Sequence, residues 1–164
     1  MTPPKVLLFD LGGVIVRWTG VANLAMLTGL TPTEVTHRFA SSQTFQDYEC
    51  GRCGDDTFSD AMRALFALDM DTAAFKRLWQ SWVEEIYDGV EHILPVLRSQ
   101  YTLACLSNTN HLHWEHLKQY FDFETYFDYS FASHHIGLAK PDTAIYRHVT
   151  AHMGVEAEDI LFFD

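Results

Sequence analysis

Lys5-Val6-Leu7-Leu8-Phe9-Asp10-Leu11-Gly12-Gly13-Val14-Ile15-Val16 is the stretch whose reading decides the fold. Val6 to Phe9 is an uninterrupted apolar run, the pattern of a strand buried on both faces of a parallel sheet. Sheets of that kind bind ligands beyond the carboxyl ends of their strands. Asp10 stands at that end, and Gly12 and Gly13 let the backbone turn and come close to a ligand. An acid in this place also serves as an ordinary turn cap, so the other strand ends must decide between the two readings.

Outward from this strand the pattern becomes helical and stays so over roughly residues 21–86. Thr31-Pro32-Thr33-Glu34 has the form of a capping box with proline at the first helical position. Asp55-Asp56-Thr57 opens a second periodic segment carrying Phe58, Ala61, Met62, Leu65 and Phe66. Behind Asp71, read as an N-cap, Phe75, Leu78, Trp79, Trp82, Val83 and Ile86 form one apolar stripe. So long a helical stretch exceeds what a single βαβ crossover needs, and it reads as an inserted helical cap over residues 17–88. Residues 1–16 and 89–164 then form an α/β core. In that core, helices near 90–99, 111–120 and 142–153 alternate with strands at 101–106, 126–131 and 160–163, with Gly154 closing the last helix.

The composition sets bounds on function. At 48% apolar and 20% charged residues the chain is globular, and 164 residues fit one domain with an insertion. A net charge of −11 argues against nucleic-acid binding by bulk electrostatics. No apolar run approaches the roughly 18 residues of a membrane span, and no signal peptide is visible. Three cysteines, an odd count, fit a reducing cytoplasm better than a disulfide framework.

The other strand ends carry chemistry too. The second core strand ends in Ser107-Asn108-Thr109-Asn110, just before a helix N-terminus that offers donors and a favourable dipole to an anion. The third is followed by Gly137-Leu138-Ala139-Lys140-Pro141-Asp142, and the fourth delivers Asp164. Asp10, Ser107, Lys140 and Asp164 make a phosphoryl-transfer set. A carboxylate can attack phosphorus, a hydroxyl and an ammonium can neutralise phosphate charge, and a second acid can help hold Mg²⁺.

With these residues in place, the chain resembles the haloacid dehalogenase-like superfamily. The resemblance rests on Phe9-Asp10-Leu11-Gly12-Gly13-Val14, Leu106-Ser107-Asn108-Thr109, Gly137-Leu138-Ala139-Lys140-Pro141 and Leu161-Phe162-Phe163-Asp164. It implies a Rossmann-like α/β core with a parallel sheet and an inserted α-helical cap. Within the superfamily the chain is similar to the small sugar-phosphate phosphatases related to glucose-1-phosphate phosphatase. Tyr48-Glu49-Cys50-Gly51-Arg52 resembles the turn of their caps, and Asn110-His111 extends the likeness of the second motif.

Carried over, the resemblance makes Asp10 the nucleophile, forming an aspartyl-phosphate that water hydrolyses. Ser107 and the Asn108 backbone hold phosphate oxygens, and Lys140 balances charge. Mg²⁺ is held by Asp10, the Gly12 carbonyl and Asp164, directly or through a neighbour, and the substrate is a small phosphorylated metabolite. Two departures stand out. Most phosphatases of the superfamily carry a second aspartate, the general acid and base, where this chain has Gly12. General acid–base catalysis is worth about 10²–10⁴-fold, so the loss weighs least on an acidic leaving group such as a sugar C1 hydroxyl. Related sequences also continue past the position of Asp164, so the chain reads as truncated. The apolar strand 160–163, left as an open edge, then invites self-association.

The same residues admit other functions. A 2-haloacid dehalogenase uses the same carboxylate without metal and also lacks the second aspartate; a catalytically impaired binding protein is a third reading. Cys50-Gly51-Arg52-Cys53 lacks the second pair that a zinc site needs. His111, His113 and His116 read as exposed polar residues, since only His113 and His116 share a helix face. Trp79 and Trp82 read as cap core, and Cys105 as inert packing in a strand.

Overall fold

The computed structural model describes residues 3–164. Strand β1 (Val6–Phe9) passes through the glycine turn into β2 (Val16–Trp18), followed by five helices. These are α1 (Gly20–Thr28), α2 (Pro32–Ser41), α3 (Gln43–Glu49), α4 (Asp55–Leu65) and α5 (Thr72–Ser81). Then come β3 (Val83–Ile86), α6 (Val90–Arg98), β4 (Thr102–Ser107), α7 (His111–Phe121) and β5 (Tyr129–Ala132). The short α8 (Ser133–Ile136), α9 (Thr143–Met153) and β6 (Ile160–Phe163) complete the chain, with 3₁₀ turns at Phe123–Tyr126 and Ala157–Asp159.

Four strands form a parallel sheet in the order β5-β4-β1-β6. The alternation of β1 explains its apolar run. Leu7 and Phe9 enter one cluster with Leu103, Cys105 and Trp114, while Val6 and Leu8 enter the opposite one with Leu106, Phe131 and Ile145. Each such side chain removed from water contributes roughly 1.5–3 kcal/mol, which makes a polar residue in β1 costly. The register fixes the ends. Phe9 pairs with Cys105 on one side and with Phe163 on the other, so Asp10 and Asp164 each follow a paired phenylalanine by one residue. The rings of Phe9 and Phe163 stack at 4.8 Å. Strand β6 lies at the sheet edge, with Leu161 and Phe163 exposed.

The helical stretch holds its own core, built on Phe39, Phe58, Met62, Phe75, Trp79 and Trp82, and α7 adds Leu112 to it. Thr31 and Glu34 form the reciprocal capping box, and Asp71 caps α5 through the Ala74 N–H. The structure corrects the reading of its end. The helical stripe stops at Ser81, and Val83 and Ile86 instead form a strand, antiparallel to β2, with Ile86 opposite Val16 and Val83 opposite Trp18. The backbone partners of that strand lie far away in sequence, where a helical period cannot register them, and β-branched Val83 and Ile86 suit either setting. The strand expected at 126–131 starts later, at Tyr129, because Asp128 is engaged first. Its N–H donates to the Leu103 carbonyl and its carboxylate accepts the Leu103 N–H. No helix among the described residues is long and apolar enough to cross a membrane.

Candidate active site

The sheet register brings the sequence-predicted residues to one end of the sheet. Asp10 is held there by two backbone bonds: its own N–H donates to the Phe163 carbonyl at 2.8 Å, and its Oδ1 accepts the Leu11 N–H at 2.7 Å. Lys140 reaches in from the loop after α8 and sets its Nζ 2.8 Å from Asp10 Oδ2 and 2.8 Å from Asp164 Oδ1. One ammonium thus serves two acids. Burial holds the Asp10 carboxyl above the usual carboxylate range, against the opposing pull of Lys140. Asp164, more exposed, is lowered by its hydrogen bond to Lys140. Burial works against the charge of Lys140, but the two carboxylates outweigh it and raise its pKa.

The loop that carries Lys140 is fixed by Asn108. The Asn108 amide donates to the Lys140 carbonyl at 2.9 Å and accepts the Lys140 N–H at 2.7 Å, so one side chain clamps both backbone polar groups of Lys140. The Ser133 hydroxyl does the same for Thr109, accepting its N–H at 2.9 Å and donating to its carbonyl at 3.0 Å. Ser107 lies buried at the end of β4. The helix N-terminus that follows is less open than the sequence suggests. Asn110 caps α7 by accepting the His113 N–H, and the Leu112 N–H is taken by the Tyr48 hydroxyl at 3.4 Å.

A cavity of about 270 Å³ joins these groups to the helical layer. Asp10, Gly12, Ser107 and Asn108 line it from the sheet; Trp18, Phe45, Glu49 and Trp79 are among the residues lining it from β2 and the helices. Two of its features escaped the reading of the sequence. His113 is buried, correcting its expected exposure, because its ring stacks on Trp79 at 4.9 Å with the planes 3° apart. Its Nε2 donates to the Trp79 carbonyl at 2.8 Å while its Nδ1 accepts from the Asn110 amide at 3.2 Å. Burial pushes this imidazole down to about 4. Glu49 is the other. It stands at the C-terminal end of α3, and burial pushes its carboxyl up to about 7 against the pull of Lys140. Its position in the quoted turn of the cap motif was the available signal.

The remaining candidates take no part in this cavity. Cys50 and Cys53 are partly exposed free thiols, and Cys105 is fully buried in β4. Trp82 is buried in the helical core. His111 lies at the surface beside Asp55, 3.1 Å from its carboxylate. Among the described residues no group of three or more histidine, cysteine or acidic side chains is disposed to hold a metal ion. A metal at this end of the sheet would rest on the carboxylates of Asp10 and Asp164, the Gly12 carbonyl and water. These are all hard oxygen donors of the kind that Mg²⁺ accepts.

Comparison with known proteins places this geometry. A family model described as haloacid dehalogenase-like hydrolase matches residues 4–164. A haloacid dehalogenase-family enzyme from Bacteroides thetaiotaomicron, solved with magnesium and inorganic phosphate, matches with a TM-score of 0.79 and 26% identity, over 97% of this chain and 83% of that one. The structure of a predicted haloacid dehalogenase-like family hydrolase from Porphyromonas gingivalis matches with a TM-score of 0.76 and 24% identity, over 98% and 82% of the two chains. The L-2-haloacid dehalogenase of Xanthobacter autotrophicus, with chloropropionic acid covalently bound, gives 0.68 and 19%, over 97% and 69%. At such identities the last two speak for the fold alone. Among curated proteins, a drimenol cyclase from Aspergillus calidoustus is 24% identical over 164 residues; the match takes in 98% of this chain and spans 30% of that protein's length.

Proposed function

Because this chain belongs to the haloacid dehalogenase-like hydrolase family, we propose that it hydrolyses small phosphate monoesters, sugar phosphates among them, with Asp10 as nucleophile and Mg²⁺ as cofactor. The observation that carries the reading is the placement of Lys140, 2.8 Å from both Asp10 and Asp164 at the sheet end. The Bacteroides relative, solved with magnesium and phosphate, supports it. In this reading an Asp10 oxygen attacks phosphorus as the bond to the leaving oxygen breaks, and water later cleaves the aspartyl-phosphate. The Ser107 hydroxyl and the Asn108 N–H hold phosphate oxygens while Lys140 offsets their charge. Mg²⁺, when held by Asp10, the Gly12 carbonyl and Asp164, supplies the positive charge that keeps both carboxylates ionised beside an anionic substrate. Residues 17–88 form the cap that closes over the site and selects the substrate, and free cysteines suit a cytoplasmic location.

Dehalogenation is the second reading, favoured by the absence of a side chain at Gly12. Phosphate release from a panel of sugar and alkyl phosphates, with Mg²⁺ and with a chelator, separates the two, with halide release from a 2-haloacid followed in parallel. Metal-dependent phosphate release is expected, lost in Asp10→Asn and lowered at least about 10²-fold in Lys140→Met. Halide release without phosphate release, or full activity in Asp10→Asn, would overturn the proposal.

A further inference from the structure

Position 12 bears no side chain, so a phosphatase built on this site needs a proton for its leaving oxygen from elsewhere. Resting on the phosphatase reading above, we propose that Glu49 is that proton donor, reaching the substrate from the helical layer rather than from the nucleophile's own loop.

The geometry of displacement points to that layer. Attack on phosphorus is in line, with the leaving oxygen opposite the attacking one. Asp10 comes from the end of β1, so the leaving group faces away from the sheet, toward the wall of the cavity that Glu49 lines. The end of α3 is held on both sides of Glu49. Tyr48 stacks on Phe58 at 3.9 Å and donates its hydroxyl to Asp55 at 2.7 Å. Gly51, in the left-handed region at φ +67°, lies so close to the His134 backbone that a Cβ would collide with it. Arg52 then reaches the Gly137 carbonyl, in the loop that carries Lys140. A residue fixed in this way can hold a proton at one place, as a general acid must.

The surroundings of Glu49 leave it free to carry that proton. Among the described residues no cation lies within ion-pairing distance of its carboxylate, since Lys140 pairs with Asp10 and Asp164 instead. Asp47 shares its helix; Arg38 on α2, Asp55 on α4 and His134 and His135 on α8 sit on the elements packed against it. Lys140 is the charge that pulls its pKa down, and burial outweighs that pull, so the carboxyl titrates at about 7. The proton balance closes. As the phosphorus–oxygen bond breaks, its electron pair stays on the leaving oxygen, which takes the Glu49 proton and departs as an alcohol. The Glu49 carboxylate then accepts a proton from the water that attacks the aspartyl-phosphate, which returns Asp10 and restores the acid.

The test compares p-nitrophenyl phosphate, whose leaving group needs no proton, with glycerol phosphate, whose leaving group does. In Glu49→Gln, first-turnover release of nitrophenolate should stay within about threefold of the unmodified protein, while glycerol release falls about 10²-fold or more. The unmodified protein should lose glycerol phosphate turnover as pH rises through about 7, and the variant should lack that limb. Glu49→Asp, which keeps the acid one methylene short, should be intermediate and keep the limb, a check that stands even if the glutamine variant folds poorly. Equal loss on both esters, or an unchanged glycerol phosphate rate, would overturn the role of Glu49 and leave the phosphatase reading intact. No release from either ester by the unmodified protein would remove that reading, and this role with it.

Discussion

Asn108 shows how much a single residue organises here. By clamping the Lys140 backbone it sets the height at which the ammonium meets Asp10, so charge placement at the sheet end depends on an amide 32 residues away in sequence. His113 plays a similar part on the other side of the cavity, and its burial has a measurable consequence. Its pKa is about 4 in the fold against an ordinary 6.5. The unfolded chain therefore binds the extra proton first as pH falls, so stability is full above 6.5 and declines toward 4. The loss by pH 4.5 should be about 2–3 kcal/mol. Glu49 has the opposite sign: its raised pKa makes the folded chain the better proton binder between 4.5 and 7, so its contribution to stability falls as pH rises through that window. Denaturant titrations from pH 7 to 4.5 should show a shallower acid-side decline in His113→Gln than in the unmodified protein. Equal slopes would mean that His113 is not held neutral.

At the scale of elements, α2 is started by a local signal and placed by a distant one. Thr31 accepts the Glu34 N–H at 3.2 Å, and Glu34 accepts the Thr31 N–H at 2.7 Å, with Pro32 at the first helical position. Since α2 adds Val35 and Phe39 to the helical core, losing this cap should lower the stability of the chain by about 1 kcal/mol in Thr31→Ala. Denaturant midpoints measure it, and phosphate ester turnover should be unchanged because Thr31 is remote from the cavity. A variant as stable as the parent would show that the box is redundant. The ribbon of β2 and β3 behaves differently. Its two strands find each other only when the five intervening helices have returned the chain, as the bonds from Thr19 N–H to the Trp82 carbonyl and from Tyr87 N–H to the Ile15 carbonyl show.

For the whole molecule, the site joins two layers with separate cores, and a ligand at the sheet end should stabilise both together. Binding to the folded state alone adds about 2.7 kcal/mol when a ligand stands at a hundred times its dissociation constant. Added Mg²⁺ should therefore raise the thermal midpoint in a saturable way, a chelator should reverse it, and Asp10→Asn should abolish most of the gain. A midpoint insensitive to Mg²⁺ in the unmodified protein would count against Asp10, Gly12 and Asp164 as its holders.

Much of this was legible in the residues alone. The apolar run of β1, the capping box, the N-cap at Asp71 and the left-handed Gly154 are local patterns whose energetics act within a few residues. Equal spacing along parallel strands then brought Asp10, Ser107 and Asp164 to one end of the sheet without further information. What the tertiary structure decided was every feature that depends on a distant partner. Val83–Ile86 is a strand because Val16–Trp18 is there to pair with it. His113 is buried because Trp79 lies flat against it, and the Glu49 carboxyl is pushed up to about 7 because folding withdraws it from water. Hydrogen-bond pairing and desolvation are set by what surrounds a group in space, and a linear pattern carries no record of neighbours that only folding supplies.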